Sequence, residues 1–372
     1  MSMHNIIRVI TSFSRSFEVA VFNAINTLKN RGGAKIKLVG IAKDEAAYIP
    51  DWVHHHLYFG VAQVEIWINN TNDNSAEIIS DLRLGDRLKV KQGDVFFRQT
   101  TASPQTSTYL HAFRKARREG FSHVLFLDLD EFWVPRDFST KINNYISDYQ
   151  FDIMGFEWSH KVDDEIPFNS PFRAEWQGLR VPQVKVLVST KANVKRMNAH
   201  NVLDEKYDYV LADGAEFKKC SKSFSSVNPE ELSKPIKGAF IMHRSNRSQL
   251  EYVAGLSRGN PVQPRKKKST IFKDNRSGYL LTENSTTYRI PTEAFERYEA
   301  SREQFYRDFV NIDKFELAKR YVVDQKDGVI ELIRNAAVGE ANVLHKILKN
   351  VQLEEVIEAY QAYKKSCKNN LD

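Results

Sequence analysis

The chain has 372 residues, 42% of them apolar and 12% aromatic, with a formal net charge of +7. That length supports one large core with a smaller annex, and no run approaches the roughly 18 apolar residues a membrane helix needs. Two cysteines, Cys220 and Cys367, suit a reducing compartment and supply neither a zinc cluster nor a disulfide framework, so the expectation is a cytoplasmic globular protein.

Residues 1–33 mix Arg, Ser and Glu into apolar positions, lack the core and cleavage site of a signal peptide, and read as an amphipathic lead-in ending at Gly32-Gly33. "KIKLVGIAKDE" then predicts a strand over Ile36–Ile41. "AAYIPDWVHHHLYFGV" carries apolar residues at helical spacing, with Gly60 as a stop. "QVEIWINNTNDNS" is a second strand running into turn residues, "SAEIISDLRLG" a helix, and "RLKVKQGDVFF" a third strand. "QTSTYLHAFRKARREG" is a helix that stops at Gly120, and "HVLFLDLDEFWV" a fourth strand. This alternation predicts a mostly parallel sheet with helices on both faces. Ligands bind such sheets beyond the carboxyl ends of the strands, where this chain places Lys43-Asp44-Glu45, Asn69–Asp73 and Asp128–Glu131.

From about Gly155 the pattern becomes mixed, with short strands in "QVKVLVST" and "GAFIMHR". Residues 261–290, rich in Gly, Pro, Lys and Ser, read as a basic linker or mobile loop. Residues 291–372 are helical, as in "EAFERYEASREQFYRDFV" and "LEEVIEAYQAYKKS". The basic runs Arg114–Arg118 and Arg265–Lys268 are solvated faces, or contacts for anionic lipid or a phosphorylated ligand. With no zinc finger, RNP-type aromatic motif or helix-turn-helix, no nucleic-acid partner is expected.

The run "HVLFLDLDEFWVP" poses the main physical question. A buried strand carries Val124, Leu125, Phe126, Leu127 and Leu129 easily, but Asp128, Asp130 and Glu131 cost several kcal/mol each if desolvated without a positive partner. In an extended segment Asp-x-Asp puts both carboxylates on one face. Two hard oxygen donors in a crevice suit Mn²⁺ or Mg²⁺, which can bridge a diphosphate and neutralise it as it leaves. The alternative is a strand-end pair that caps a helix or binds an arginine. The three adjacent histidines His54–His56 cannot converge on one ion, because successive helical residues point about 100° apart; only His56, one turn from Trp52, is expected inward, as a hydrogen-bonded structural residue.

"IAKDEAAYIPDWVHHHLYFGVAQVEIWINNTNDNS" followed by "PQTSTYLHAFRKARREGFSHVLFLDLDEFWVP" resembles the family-2-like and family 92-like glycosyltransferases. The matching residues are Lys43, Glu45, Tyr48, Trp52, His56, Gly60, Val61, Asp73, Gln105, Tyr109, Asp128, Asp130, Glu131 and Phe132. Later blocks around Lys185–Val188, His200 and Met242–Asn260 extend the resemblance over about 34–260. It implies a GT-A fold, a Rossmann-like mixed sheet here carrying a C-terminal helical annex, with a nucleotide-sugar donor and a divalent metal. By that resemblance Asp128 faces the ribose or donor sugar and, with Asp130, belongs to the metal site, and Glu131 supports it from behind. His243 is either a further metal ligand or a buried histidine bonded at a strand end. Lys43, Asp44 and Glu45, with Asp73, would lie against the nucleoside, and Lys185 against a phosphate. Two positions depart from the family pattern: Ile68 where an acid is usual, and Asp44 where Asn is usual. Both bear on the nucleotide's identity.

Inverting transfer needs a base for the acceptor hydroxyl, whereas a clamped diphosphate needs no acid to leave. "EWSHKVDDEIP" offers Asp163, Asp164 and Glu165, and "LADGAEF" offers Asp213 and Glu216; Asp163 or Asp164 is preferred. The leading reading is a bacterial enzyme building surface polysaccharide on a glycan or glycolipid acceptor, its C-terminal helices serving packing, a homo-oligomer or peripheral contact with the inner membrane face. Its competitors are a sugar nucleotidyltransferase, which usually carries a Gly-rich phosphate loop that "VGIAKDEAAYIP" lacks, and a non-catalytic scaffold, against which the intact Asp-Leu-Asp-Glu argues.

Overall fold

Apolar residues on both faces of three short parallel strands, with a fourth at their edge, set the centre of the fold. The computed structural model describes residues 33–98, 103–220, 224–258, 270–281 and 283–369. All but the last residue of the expected lead-in over 1–33, and the basic run Arg265–Lys268, lie outside the described residues. Strands β1 (Ile36–Ala42), β2 (Gln63–Ile68), β3 (Leu88–Gln92) and β4 (His123–Phe126) stand in the order β3-β2-β1-β4, all parallel. Beyond β4 the sheet turns antiparallel through β7 (Glu175–Ser189) and β6 (Ile153–Lys161), then continues to β9 (Ala239–His243) and β5 (Glu131–Pro135). β8 (Tyr209–Leu211) pairs with β6, and β10 (Thr286–Arg289) with β7. The mixed α/β architecture expected from the sequence is therefore present.

Two sequence readings need correction. The expected third strand stops at Gln92 because Gly93 breaks it, its N–H donating 2.7 Å to the Ile68 carbonyl, and Asp94–Arg98 is helical. The expected fourth strand is two strands. β4 lies in the middle of the sheet beside β1 and β7, whereas β5 lies at the far edge, paired antiparallel to β9. Leu127–Asp130 forms the turn between them, closed by the Glu131 N–H donating 3.0 Å to the Asp128 carbonyl. Both strands are buried, so the residue pattern runs unbroken through the turn and conceals it.

Helix α1 (Ile49–Tyr58) packs on one face of the sheet, where Trp52, Val53 and Leu57 join a core with Leu38, Ile66, Leu127 and Trp133. Helix α2 (Ser75–Asp81) adds Ile78 and Ile79 to that core. On the other face α3 (Pro104–Arg118) buries Tyr109, Ala112, Phe113 and Ala116 against Val39, Trp67 and Phe126. After α4 (Gln249–Ala254) come the long helices α5 (Thr292–Phe309) and α6 (Ile312–Arg334), then α7 (Ala341–Ile347) and α8 (Glu354–Asn369).

The C-terminal helices are built into the core. Tyr298, Phe305 and Phe309 of α5 and Phe315, Ala318 and Val322 of α6 belong to the same apolar cluster as Trp52, while Val329, Ile330 and Ile333 pack with Tyr252 and Val253 of α4. The described part of the segment expected as a basic linker or mobile loop, 270–281 and 283–290, is anchored as well. Phe272 and Tyr279 are buried in that second cluster, and β10 is a strand of the sheet.

This packing explains the histidine run, where only His56 was expected inward. All of His54, His55 and His56 are buried, because α1 is covered by the sheet on one side and by α5 on the other. His56 Nδ1 lies 2.8 Å from the Trp52 carbonyl, His55 Nε2 lies 2.8 Å from the Trp133 carbonyl, and His54 Nε2 lies 3.1 Å from Ser301 Oγ. Arg302 of α5 holds Asp51 of α1 at 2.6 Å beside them.

Burial pushes His54 and His56 down to about 3 and His55 well below its ordinary value, against the opposing influence of Asp51 and of the backbone carbonyls. Each ring is neutral when folded and charges near pH 6.5 when unfolded. The stability they provide is complete above about pH 6.5 and is lost as pH falls, at up to about 1.4 kcal/mol per pH unit for each ring. Urea denaturation between pH 7.5 and 4.5 is expected to show this slope, and His56→Gln to make it shallower. An unchanged slope in the variant would remove the histidines from the account.

Candidate metal and sugar-transfer site

The site forms where the turn after β4 meets the end of β9. Glu131, the first residue of β5, stands opposite His243, the last residue of β9, and His243 is also in register with His160 of β6. The Arg244 N–H donates 2.8 Å to the Asp130 carbonyl, fixing the turn to the strand end. From beneath, Trp52 Nε1 donates 2.9 Å to the Glu131 carbonyl. Gly40 makes room for this contact: a Cβ there would lie 2.8 Å from the Trp52 ring, 3.1 Å from Leu129 Cδ1 and 3.2 Å from the Leu127 carbonyl.

The positive partner of the carboxylates within the chain is Lys185 of β7. Its ammonium donates 2.9 Å to Asp128 Oδ2 and 3.0 Å to the Ala199 carbonyl, and lies 3.2 Å from Glu131 Oε2. Glu131 Oε2 also accepts the Asp128 N–H at 2.9 Å. Asp128 Oδ1 accepts from Gln105 Nε2 at 3.2 Å and from the Tyr109 hydroxyl at 3.4 Å. Burial opposes the charge on Lys185, but Asp128 and Glu131 outweigh it and raise its pKa. Glu131 is pushed well above the usual carboxylate range, by burial first and then by Asp128 and Asp130, with Lys185 opposing. The lysine, expected on a phosphate, is engaged here by two hydrogen bonds and the nearby Glu131 carboxylate.

Asp130 is the member of the motif that Lys185 does not hold. Its Oδ2 lies 3.4 Å from His243 Nε2. Burial works against its charge, yet His243, Arg247 and Arg276 hold its carboxyl well below the usual range. One ligand atom each from Asp130, Glu131 and His243 lie within 4.8 Å of one another. Asp128 is absent from that group, and Glu131, expected behind the site, is part of it. Glu131 Oε1 and His243 Nδ1 are buried with no hydrogen-bond partner, an arrangement a structure tolerates where something else completes the site. Two carboxylates and an imidazole fit a divalent cation such as Mn²⁺.

The residues expected against the nucleoside form a brace between the ends of β1 and β2. Asp73 accepts from the Ala46 N–H at 2.8 Å and from Ser75 N and Oγ at 3.0 and 2.6 Å. Asp44, at φ 54°, accepts the Asn72 N–H at 2.7 Å. Asn and Asp both tolerate that left-handed backbone, which accounts for the Asp where Asn is usual. Ile68 is buried in the core and offers no polar group there. Glu45 holds Arg247 at 2.8 Å and Arg258 at 2.9 Å, and Lys43 Nζ donates 3.2 Å to the Arg258 carbonyl. Helix α6 closes the other side, with the Lys314 carbonyl 2.9 Å from Asn74 Nδ2. The sequence reading missed Arg247 and Arg258; their signal lay in the late block 242–260, unread there as partners of Glu45.

The two preferred bases are both in ion pairs. Asp164 lies between Lys161 and Arg244 Nε, the latter at 2.7 Å. Burial alone would raise its pKa, but Arg244 and Lys161 lower it. Asp163 pairs with Arg173 and with Lys161, at 3.2 Å from the lysine, and its side chain is 12% exposed. Asp213 lies 3.9 Å from Lys237, and neither it nor Glu216 joins the metal cluster.

Removing Lys185 strands Glu131 in the core. Lys185→Met is expected to cost about 3–5 kcal/mol, read by chemical denaturation, and Lys185→Met/Glu131→Gln to recover much of it. A loss below about 1 kcal/mol for the single variant would mean the carboxylates do not depend on this cation. Gly40→Ala is expected to cost about 1–3 kcal/mol by forcing Trp52 and Leu129 apart; a neutral effect would show the turn is not held from below.

Among solved structures, S. aureus TarS 1–349 is 12% identical, covering 90% of this chain and 92% of that one with a TM-score of 0.32. The same fragment in complex with UDP matches at 12% and 0.31. A longer S. aureus TarS chain matches at 10%, covering 89% of this chain and 55% of its own, with a TM-score of 0.30. At these TM-scores the likenesses add nothing to a fold that stands on its own topology. No curated protein matches the chain. Over residues 40–174, from β1 through β6 and including the Asp128–Glu131 turn, the chain matches glycosyltransferase family 92, and on that match it is a glycosyltransferase.

Proposed function

We propose that the enzyme is metal-dependent and moves a sugar from a nucleotide-sugar, UDP-linked in the first instance, to a hydroxyl of a glycan or glycolipid, with inversion. The observation that carries this reading is the cluster of Asp130, Glu131 and His243 where the turn after β4 meets the end of β9, within the glycosyltransferase match and its flank. Ligands of such sheets bind beyond the carboxyl ends of the parallel strands, where the turn after β4 lies. Asp130 and His243 would hold Mn²⁺ or Mg²⁺ with Glu131, and the ion when bound would neutralise the donor diphosphate.

The chain's own residues divide the remaining work. Lys185 fixes Asp128, and the 39% exposed Asp128 side chain is left to contact the ribose or donor sugar. Lys43, Asp44, Glu45 and Asp73 shape the nucleoside end by bracing β1 against β2. Asp163 is the better candidate for the base that takes the acceptor hydroxyl's proton. Asp163 and Asp164 are each paired with two cations, but the Asp163 side chain is 12% exposed and that of Asp164 only 3%, and Arg244 and Lys161 lower the Asp164 pKa. No helix among the described residues is long and apolar enough to cross a membrane. We place the reaction at the cytoplasmic face, in the synthesis of a bacterial surface polysaccharide, as the family resemblance suggests.

Calorimetric titration with UDP-, GDP- and CMP-sugars, with and without Mn²⁺, tests this reading. One nucleotide class is expected to bind only with metal, and Asp130→Ala to abolish that binding while the fold is retained. Binding that ignores metal, or survives Asp130→Ala, would overturn it. Asp163→Asn is expected to lower turnover about 100-fold or more while leaving donor affinity intact; unchanged turnover would exclude it as the base.

A further inference from the structure

Nearly every buried cation around the site is matched by an acid or a carbonyl. Lys185 has Asp128 and Glu131, Arg244 has Asp164, and Arg247 and Arg258 share Glu45. Lys273 and Arg276 differ. Both are half-buried, and among the described residues neither side chain has a hydrogen-bond or ion-pair partner. They nevertheless stand where the site's charges act. Arg276 is in electrostatic reach of Asp130 and His160, and Lys273 of Asp130, Glu45 and Arg258.

Their position is fixed by the fold. The Lys273 N–H donates 2.7 Å to the Leu256 carbonyl, and the Arg276 N–H donates 3.4 Å to the Lys273 carbonyl. Phe272 before them is buried in the α4–α6 core. Tyr279 after them donates its hydroxyl to the Arg247 carbonyl at 2.9 Å and lies 3.2 Å from the Asp164 carbonyl. The segment is thereby tied to the residues that follow β9 and to the loop after β6 that carries Asp164. Burial, with Arg276 and Arg258, pushes the Lys273 ammonium down to about 8. Two half-buried cations on an anchored turn are thus left without an ion-pair partner among the described residues.

We infer that Lys273 and Arg276 form an anion site beside the Asp130–His243 pair, which takes a phosphate or diphosphate group. Guanidinium and ammonium together suit phosphate, the first by its planar fork and the second as a point charge. Two sources share this chemistry: the diphosphate of the donor, and a phosphate carried by the acceptor. The site lies outside the family match over 40–174, and it stands on these residues whichever sugar is transferred. It also bears on metal binding: two uncompensated cations oppose a divalent ion at Asp130, and an anion between them removes that opposition.

The test is calorimetry on the full chain in chelator-treated buffer at low ionic strength, with inorganic pyrophosphate, UDP and glycerol phosphate as probes. The wild-type protein is expected to bind pyrophosphate without metal. Lys273→Gln and Arg276→Gln are each expected to weaken it about tenfold or more, Lys273→Arg to retain it, and Lys319→Gln on α6 to leave it unchanged. Circular dichroism and the denaturation midpoint verify that each variant is folded. A parallel loss for UDP assigns the site to the donor; a loss for glycerol phosphate with UDP intact assigns it to the acceptor. No pyrophosphate binding by the wild type, or equal binding by both Gln variants, overturns the inference.

Discussion

The contact of Lys185 with Asp128 and Glu131 is the constraint on which the rest of the site depends. Glu131 is wholly buried and Lys185 nearly so, and neither is stable there alone. Removing one partner would leave an uncompensated charge in the core. The pairing holds β7 to the turn after β4, adding a charged contact to the β4–β7 ladder that joins the antiparallel half of the sheet to the parallel half. It also satisfies the charge of Asp128 and one oxygen of Glu131 from within the protein. Asp130 is then the acid whose partner is a histidine and not a lysine, and that difference separates a structural carboxylate from one available to a ligand.

A second constraint acts from the C-terminal side. α5 closes over α1, converting a run of three histidines into a buried, neutral layer between Asp51–Arg302 and the sheet. α6 reaches the loop after β2 through Asn74 and Lys314, and packs against α4, which follows His243 and Arg244. The helices beyond residue 291 therefore support both ends of the crevice, the nucleoside brace and the metal cluster alike. A chain shortened before α5 would expose Trp52's neighbours, and with them the hydrogen bond that holds Glu131 from below.

The alternation of strand and helix up to Phe126 was legible because period and turn residues agree there. The acids at 128–131 were legible because charged residues at the end of an apolar strand need a partner, whereas His243 was offered only by the family resemblance, with a structural role as the alternative. The break between β4 and β5 was hidden, since a buried strand on each side of a short turn leaves no polar interruption except the acids themselves. Burial of His54 and His55 was equally hidden: it depends on α5, about 240 residues away in sequence. Lys185 pointed to an anion in the sequence, and which anion was a tertiary fact. The segment around Phe272 and Tyr279 looked like a linker by composition, yet two aromatic anchors make it part of the core.

The central claim is that Lys185 compensates Asp128 and Glu131, leaving Asp130 and His243 to hold a divalent ion. Pulsed electron paramagnetic resonance of the protein with Mn²⁺ and UDP tests it most directly. The expected result is a nitrogen coupling from one imidazole that disappears in His243→Gln and persists in His160→Gln. A manganese spectrum without imidazole nitrogen, or one unchanged by His243→Gln, would contradict the account.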